Sequence, residues 1–138
     1  MKESINVNWL GDLSFEAEVD GHSIVMDSKA DVEGKNRGPR PKPLMMVALA
    51  GCTGMDVASL LKKMRVEIES FNVRVEGELT EEHPKHYVSM HIVYEFKGKA
   101  LPLDKLKRAV ELSQETYCGV IATYKEVMKL SYEIKITD

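Results

Sequence analysis

The alternation of apolar and polar residues predicts three short strands at the start of the chain. Apolar side chains occupy every second position over residues 5–9 and again over 13–19, which is the period of a strand with one buried face. Asp20-Gly21 is a strong hairpin-turn signal, and residues 23–26 follow it as a third strand. We expect these strands to form an antiparallel meander.

A nearly unbroken apolar run over residues 41–57 predicts the central helix of the fold. Residues 44–50 are apolar on every side, so a helix there is expected to be buried all round. The run then becomes amphipathic and ends in cations, which suit the negative end of a helix dipole. We expect one helix over about residues 42–64 with Cys52 in its middle. A basic loop precedes it and carries Lys29, Lys35, Arg37, Arg40 and Lys42.

The second half of the chain predicts strands, two helices and a final strand. Alternation over 71–77 and 88–96 indicates a second antiparallel pair. Helical spacing from 103 to 116 is followed by Cys118, a short helix over 120–124 and a last strand over 129–136. The expected fold class is therefore α+β with mostly antiparallel strands. A buried helix of this length is hard to cover with one chain, so we predict an intertwined homodimer.

Composition excludes several classes of function. The length of 138 residues corresponds to a single domain, 1–138. A net charge of −3 disfavours nucleic acid and anionic membrane as partners. The chain start lacks the apolar core of a signal peptide, and residues 44–50 are too few to span a bilayer. We expect a cytoplasmic protein, in which cysteines are more often free than disulfide-bonded.

Cys52 and Cys118 are the candidate reactive groups. A thiol is a useful nucleophile only as the thiolate, which a helix start or a nearby cation favours. Cys118 is expected at the start of a short helix, whereas Cys52 needs a cation such as Arg37 or Arg40. From the residues alone, two cysteines so far apart in sequence are more often small core residues than a redox pair.

Two glycines flank Cys52 inside the predicted helix, and each costs about 1 kcal/mol of helix stability relative to alanine. Gly51 and Gly54 could allow close approach of another helix, or they could leave room for a substrate beside the sulfur, with Met55 lining the same pocket. Three histidines in the second hairpin do not meet the spacing of a structural zinc site. We therefore expect neither a metal nor a cofactor. The histidines are His83, His86 and His91.

Two segments resemble the OsmC/Ohr family, and the resemblance extends over nearly the whole chain. Residues 49–57, LAGCTGMDV, resemble its first-cysteine helix, and residues 109–120, AVELSQETYCGV, resemble its second-cysteine segment. The resemblance implies the OsmC-like fold and an intertwined homodimer whose central helices pack back to back. It also implies thiol-dependent reduction of organic or hydrogen peroxides.

In the reaction that the resemblance implies, Cys52 attacks the peroxide, its sulfenic acid forms a disulfide with Cys118, and an external dithiol restores the pair. The hydroperoxide-reductase branch supports its thiolate with a glutamate just before the first-cysteine helix and an arginine in the N-terminal hairpin. Here Pro43 occupies the glutamate position, and no arginine precedes Arg37. The chain is thus more similar to the other OsmC-like proteins than to the organic hydroperoxide reductases.

Two functions remain open from the sequence. The first, which we favour, is a cysteine-based peroxidase of oxidative-stress defence. The alternative is a non-catalytic dimeric module that binds a small hydrophobic ligand near Gly51, Gly54 and Met55 and keeps its cysteines as structural residues. The separation of the Cys52 and Cys118 sulfurs discriminates between them.

Overall fold

Two units follow one another along the chain, Met1–Met45 and Met46–Asp138. They are seen in a computed structural model, which describes residues 1–138 except for the side chain of residue 32. Helix α1, Pro41–Lys63, begins in the first unit and continues into the second. The observed helix matches the predicted one to within a residue at each end.

The first unit is built on a three-stranded antiparallel sheet in the order β1-β2-β3. Asp20 and Gly21 both have positive φ, 50° and 79°, as the predicted tight turn requires. The predicted meander is confirmed. Its strands are β1 (Asn6–Gly11), β2 (Ser14–Val19) and β3 (His22–Met26).

Asp27 organises the basic segment that follows β3. Its Oδ1 accepts the amide of Ser28 at 2.7 Å, and its Oδ2 accepts the amides of Lys35 at 3.3 Å and Arg37 at 3.1 Å. The Asp27 amide in turn donates to the Pro39 carbonyl at 3.1 Å. Burial raises the pKa of the carboxyl, but the three amide donors and the Arg37 charge outweigh it and hold that pKa below its usual value.

The second unit is a three-stranded mixed sheet, in the order β4-β5-β6, with helices between its second and third strands. The predicted antiparallel pair is confirmed as β4 and β5, and so is the α+β class. The last strand runs parallel to β5, because the helices form a crossover that returns the chain to the end of the sheet at which β5 began. The elements are β4 (Ser70–Leu79), β5 (Tyr87–Lys97), α2 (Leu103–Leu112), a π-helical turn (Ser113–Tyr117), α3 (Gly119–Tyr124) and β6 (Lys129–Thr137).

The core of the second unit lies between β5 and one stripe of α1. Every second residue of β5 faces this core, and every fourth residue of α1 meets it. Side chains of α2 and α3 complete the cluster. The buried members include Leu49, Thr53, Val57 and Leu61 of α1; Tyr87, Met90, Ile92, Tyr94 and Phe96 of β5; and Leu106, Ala109, Val110, Cys118 and Ile121 from the later helices and the turn between them.

The remaining faces of α1 are open in the single chain. Val47 is 62% exposed and Met55 is 76% exposed. The single chain therefore buries one stripe of α1, in line with the expectation that one chain cannot cover a helix of this length, and burial of its other faces by a second subunit stays a prediction. By length and composition α1 could also cross a membrane. Core helices of soluble proteins meet the same criteria, so this is weak support for a membrane span.

We predict that Asp27→Asn lowers the melting temperature of the protein at neutral pH, because an amide nitrogen replaces one acceptor of the backbone N–H groups. The folded-state pKa of Asp27 is lowered, so its contribution is present above the unfolded value of about 3.9 and is lost as pH falls through the folded value. The difference between variant and parent should therefore shrink in acid. Thermal unfolding across pH measures this, with exposed Asp31→Asn as the control; equal melting temperatures at neutral pH would contradict it.

Candidate active site

The two cysteines and Asp56 come together in the second unit. The Sγ atoms of Cys52 and Cys118 and a carboxylate oxygen of Asp56 lie within 4.8 Å of one another. Both thiols are free. A disulfide needs a sulfur separation of about 2.0 Å, so the two sulfurs are close neighbours that are not bonded to each other. The structure thus joins two thiols that lie far apart in the sequence.

Helix α1 positions two of these three groups. Cys52 and Asp56 are four residues apart and share one face of the helix. Each immediately precedes a residue of the buried stripe, Thr53 or Val57, and is itself half-buried. The thiol and the carboxylate therefore lie along the edge of the core, where solvent can reach them.

The π-helical turn after α2 positions Cys118. The Cys118 amide donates to the Ser113 carbonyl at 3.0 Å, across five residues. Cys118 then adopts an extended conformation, with φ −78° and ψ 106°, and caps α3 by accepting the Ile121 amide on its sulfur at 3.4 Å. Its side chain is buried, at 4% exposure. The predicted location at a helix start is confirmed.

The helix start was expected to favour the thiolate form of Cys118, and this expectation is wrong. The pKa of the Cys118 thiol is raised to about 11. Burial is the largest cause and a hydrogen bond with the Cys52 sulfur is the next, whereas the Ile121 amide lowers the pKa by a smaller amount. The cost of burying a thiolate exceeds the stabilisation that one helix start offers. Cys118 is therefore a neutral thiol at physiological pH, and Cys52 is the candidate nucleophile.

A chain of buried hydroxyl groups holds the carboxylate of Asp56. Ser113 Oγ donates to Asp56 Oδ2 at 2.9 Å, and Thr53 Oγ1 lies 2.7 Å from Ser113 Oγ and 2.7 Å from the Tyr94 hydroxyl. Gln114 Nε2 donates to that hydroxyl at 2.8 Å. The chain therefore joins α1, β5 and the π-helical turn beneath the two thiols.

The chemistry of the two ends fixes the direction of this chain. The Gln114 amide nitrogen can only donate, and at the other end Asp56 Oδ2 accepts from Ser113. Each hydroxyl has one proton, so Tyr94 donates to Thr53 and Thr53 donates to Ser113. Burial raises the pKa of Tyr94, although its bonds to Thr53 and Gln114 lower it, which keeps that hydroxyl protonated. Asp56 Oδ1 is left available for a proton or a cation.

Asp56 also lines a cleft of about 170 Å³ on the surface of the second unit. The cleft has one cation and one aromatic residue beside apolar and hydroxyl groups. It gives small molecules a route to the carboxylate. The other lining residues are Ser59, Leu60, Lys63 and Tyr117.

The glycines and Met55, predicted to line a substrate pocket, occupy different surroundings. A Cβ at Gly54 would lie 3.4 Å from Val73 Cγ2 of β4, which is an ordinary contact distance. A Cβ at Gly51 would meet nothing within 4 Å. Met55 is largely exposed. Within the single chain neither glycine is required by close approach of another helix, and both alternatives for the two glycines stay predictions.

The predicted thiolate partners, Arg37 and Arg40, belong to the first unit. Arg37 Nη2 lies 3.2 Å from Asp12 Oδ2, so its charge already has an acidic partner. Arg40 lines a cleft of about 280 Å³, together with apolar residues including Phe15 and Met26. Their support of Cys52 remains a prediction.

Asp56 and the hydroxyl chain were not among the predicted site residues. A signal for Asp56 was present, because it is the only charged residue between Lys42 and Lys62 in a helix that is otherwise apolar. A carboxylate four residues after a cysteine also lies on the same face of a helix, which indicates that the two groups are neighbours. Thr53, Tyr94 and Ser113 could not be found in this way, because isolated hydroxyl groups give no pattern.

Comparison with known proteins identifies the family. A family model described as OsmC-like protein matches residues 34–133. The chain belongs to the OsmC-like family. It is 28% identical over 131 residues to the protein YhfA of Escherichia coli strain K12, covering 94% of this chain and 95% of YhfA. The resemblance inferred from the two cysteine segments is thus confirmed.

Solved structures show the same OsmC-like fold. A hypothetical protein from Aquifex aeolicus VF5 superposes with a TM-score of 0.82 at 29% identity, over 100% of this chain and 99% of that one. The organic hydroperoxide resistance protein OhrB of Bacillus subtilis superposes with a TM-score of 0.65 at 18% identity, over 96% and 98% of the two chains. Proteins of the OsmC-like family are soluble, which favours α1 as a core helix rather than a membrane span.

We predict that a thiol-alkylating reagent modifies Cys52 well before Cys118 at about pH 8, in metal-free buffer. The labelling rate of Cys118 should rise about tenfold per pH unit until its raised pKa is reached, because only the thiolate reacts. Peptide mass mapping across pH measures both rates, and denatured protein, in which the two thiols should react alike, is the control. Equal labelling of the native thiols at about pH 8 would overturn this assignment.

Proposed function

We propose that the protein is a cysteine-based peroxidase that reduces organic or hydrogen peroxides and protects the cell against oxidative stress. The observation that carries the proposal is the approach of the Cys52 and Cys118 sulfurs within 4.8 Å beside Asp56. Membership of the OsmC-like family supports it. So does the shared fold of OhrB, which is named as an organic hydroperoxide resistance protein.

In the first step, the Cys52 thiolate attacks the outer oxygen of the peroxide. The O–O bond breaks, the new S–O bond forms, and the leaving oxygen takes a proton and departs as an alcohol or water. Cys52 becomes a sulfenic acid. Its position at the edge of the buried stripe allows this, because the sulfur is half-buried and can still meet a substrate.

In the second step, the Cys118 sulfur attacks the sulfenic sulfur of Cys52, and water leaves as the disulfide forms. Cys118 first has to lose its proton, which its raised pKa resists. A carboxylate oxygen of Asp56 lies within 4.8 Å of both sulfurs, and Ser113 donates to its Oδ2. We assign Asp56 the acceptance of the Cys118 proton, which then leaves with the departing water.

Asp56 offers an explanation for the missing glutamate and arginine of the hydroperoxide reductases. In this chain Pro43 stands where the glutamate is expected, and the carboxylate lies instead four residues after the nucleophile. An external dithiol completes the cycle by thiol–disulfide exchange. Support of the thiolate by Arg37 or Arg40, from the same subunit or another, belongs to the proposal as an additional contribution.

We also propose that the protein is a cytoplasmic homodimer. Val47, Gly51 and Met55 follow one another at four-residue spacing on α1, so they share one face. Two of them are exposed apolar side chains, and the glycine between them has open space. Such a face suits close packing against a second helix.

The alternative of a non-catalytic ligand-binding module is weakened by the sulfur positions. That alternative expects two structural cysteines that are buried and far apart. The two sulfurs are instead close, and one of them is accessible. Its ligand pocket near Gly51 and Met55 also coincides with the exposed helix face that we assign to the dimer.

The central prediction concerns reduced protein mixed with an organic hydroperoxide. Stopped-flow measurements should show consumption far faster than by free cysteine. Cys52→Ser should abolish it, because the nucleophile is lost. Cys118→Ser should leave one turnover and accumulate the sulfenic acid, which a sulfenic-acid trap detects by mass. Asp56→Asn should retain the first step and slow disulfide formation.

Two results would contradict the peroxidase proposal. One is consumption no faster than by free cysteine, and the other is a rate that Cys52→Ser does not change. If Asp56→Asn forms the disulfide as fast as the parent, only the role of Asp56 as the base is wrong. Glu115→Gln is a matched control, because Glu115 is an exposed acid in the same turn as the second cysteine.

The dimer is tested with two matched substitutions. Met55 and Val127 are apolar and equally exposed, at 76% and 75%, but only Met55 lies on the proposed helix face. Met55→Lys should give monomers in sedimentation experiments, because burying an unpaired charge is costly. Val127→Lys should remain dimeric. A monomeric parent, or a Met55→Lys variant as dimeric as the parent, would refute the proposed interface.

A further inference from the structure

We propose that Cys52, Asp56 and Cys118 form a binding site for one thiophilic divalent cation of the Zn²⁺ class. This goes beyond peroxide reduction and does not depend on it. Two thiols and a carboxylate offer three donor atoms of the types that Zn²⁺ binds in proteins. Such a set was not apparent from the spacing of cysteines and histidines in the sequence, because the fold brings the second cysteine to the first.

The distances fit one small cation. Zn²⁺ binds thiolate sulfur at about 2.3 Å and carboxylate oxygen at about 2.0–2.2 Å, so tetrahedral ligand atoms lie roughly 3.4–3.8 Å apart. The three donor atoms here lie within 4.8 Å of one another. Two come from one helix face, and the third comes from a helix cap. Side-chain rotations that move the donor atoms by about 1 Å would therefore complete the tetrahedral geometry.

Hydrogen bonds hold two of the three donors from behind. Asp56 Oδ2 accepts from Ser113, and a carboxylate that accepts one such bond has further lone pairs for a cation. The Cys118 sulfur accepts the Ile121 amide. Outer hydrogen bonds of this kind orient metal ligands and tune their affinity. Here one of these hydrogen bonds belongs to the buried hydroxyl chain and the other to the cap of α3.

Electrostatics also favours a cation at this point. Two thiolates and a carboxylate would hold like charges together in a partly buried site, which is unfavourable without a counter-ion. A divalent cation would bind both thiolates in place of their protons and offset most of the negative charge of the cluster. Thiolate ligands select Zn²⁺ and similar soft ions over Mg²⁺ or Ca²⁺. The cleft lined by Asp56 gives access to the carboxylate from the surface.

Cation binding and disulfide formation exclude each other at this site. When the two thiols lose two electrons and two protons to an oxidant, the sulfurs bond to each other and offer no thiolate to a metal. A dithiol reverses the change. The site is therefore expected to hold a cation only in the reduced protein and to release it on oxidation.

Co²⁺ titration of reduced, metal-free protein tests this site. Thiolate coordination to Co²⁺ gives a charge-transfer absorption, and tetrahedral geometry gives strong visible bands. We expect one Co²⁺ per chain, displaced by Zn²⁺. Cys52→Ser and Cys118→Ser should each weaken binding by at least about 100-fold, and Asp56→Asn by about 10- to 100-fold. Glu115→Gln should bind like the parent.

Oxidation with diamide provides a second measurement that needs no peroxide activity. Diamide takes up the two electrons and two protons as the disulfide forms, so the Co²⁺ absorption should disappear and return with a dithiol. Circular dichroism confirms that each variant is folded. Absence of the charge-transfer band, or binding that survives Cys52→Ser or diamide unchanged, would overturn the site. Failure of peroxide reduction alone would not, because Co²⁺ binding is measured separately.

Discussion

Three buried hydroxyl groups hold together the elements that form the candidate site. A buried hydroxyl without a partner costs about 1–3 kcal/mol, and Thr53, Tyr94 and Ser113 avoid that cost by bonding to one another. They belong to α1, β5 and the turn after α2. The relative positions of these elements are therefore fixed at the point where the two cysteines meet. The chain also ends on Asp56, so the same bonds place the carboxylate beside the sulfurs.

Burial makes the two thiols unequal. Cys118 is enclosed by the core and caps α3, whereas Cys52 lies at the edge of the buried stripe. The enclosed thiol keeps its proton, and the edge thiol can meet small molecules. Chemistry at the pair therefore has a direction, with Cys52 reacting first and Cys118 second. Asp56 is shared by both sulfurs and can serve either a proton or a cation, which is why one cluster supports both of our proposals.

The elements of the fold could be predicted from local pattern, because strand alternation and the apolar helix are properties of neighbouring residues. The parallel pairing of β6 could not, since it depends on how the crossover returns to the sheet. For α1, the apolar sequence indicated that one chain could not cover the whole helix, and the single chain indeed buries only one stripe of it. Asp27 was also missed, because its three amide partners lie in a segment without periodicity.

The candidate site was predictable in part. Pattern alone favoured two unrelated core cysteines, and only the family resemblance paired Cys52 with Cys118. The wrong expectation for the Cys118 thiolate arose because sequence gives its place at a helix start but not its burial, and burial decides the pKa. The hydroxyl chain connects residues from three elements. Contacts of that range appear only when the fold is known.

Peptide mass mapping of native protein after one equivalent of an organic hydroperoxide tests the redox pair most directly. The predicted product is a disulfide that links the Cys52 and Cys118 peptides of one chain, with a loss of two hydrogens and reversal by a dithiol. Recovery of two separate thiols, or oxidation of both cysteines to sulfinic acids without a link, would contradict the pairing on which the proposed function rests.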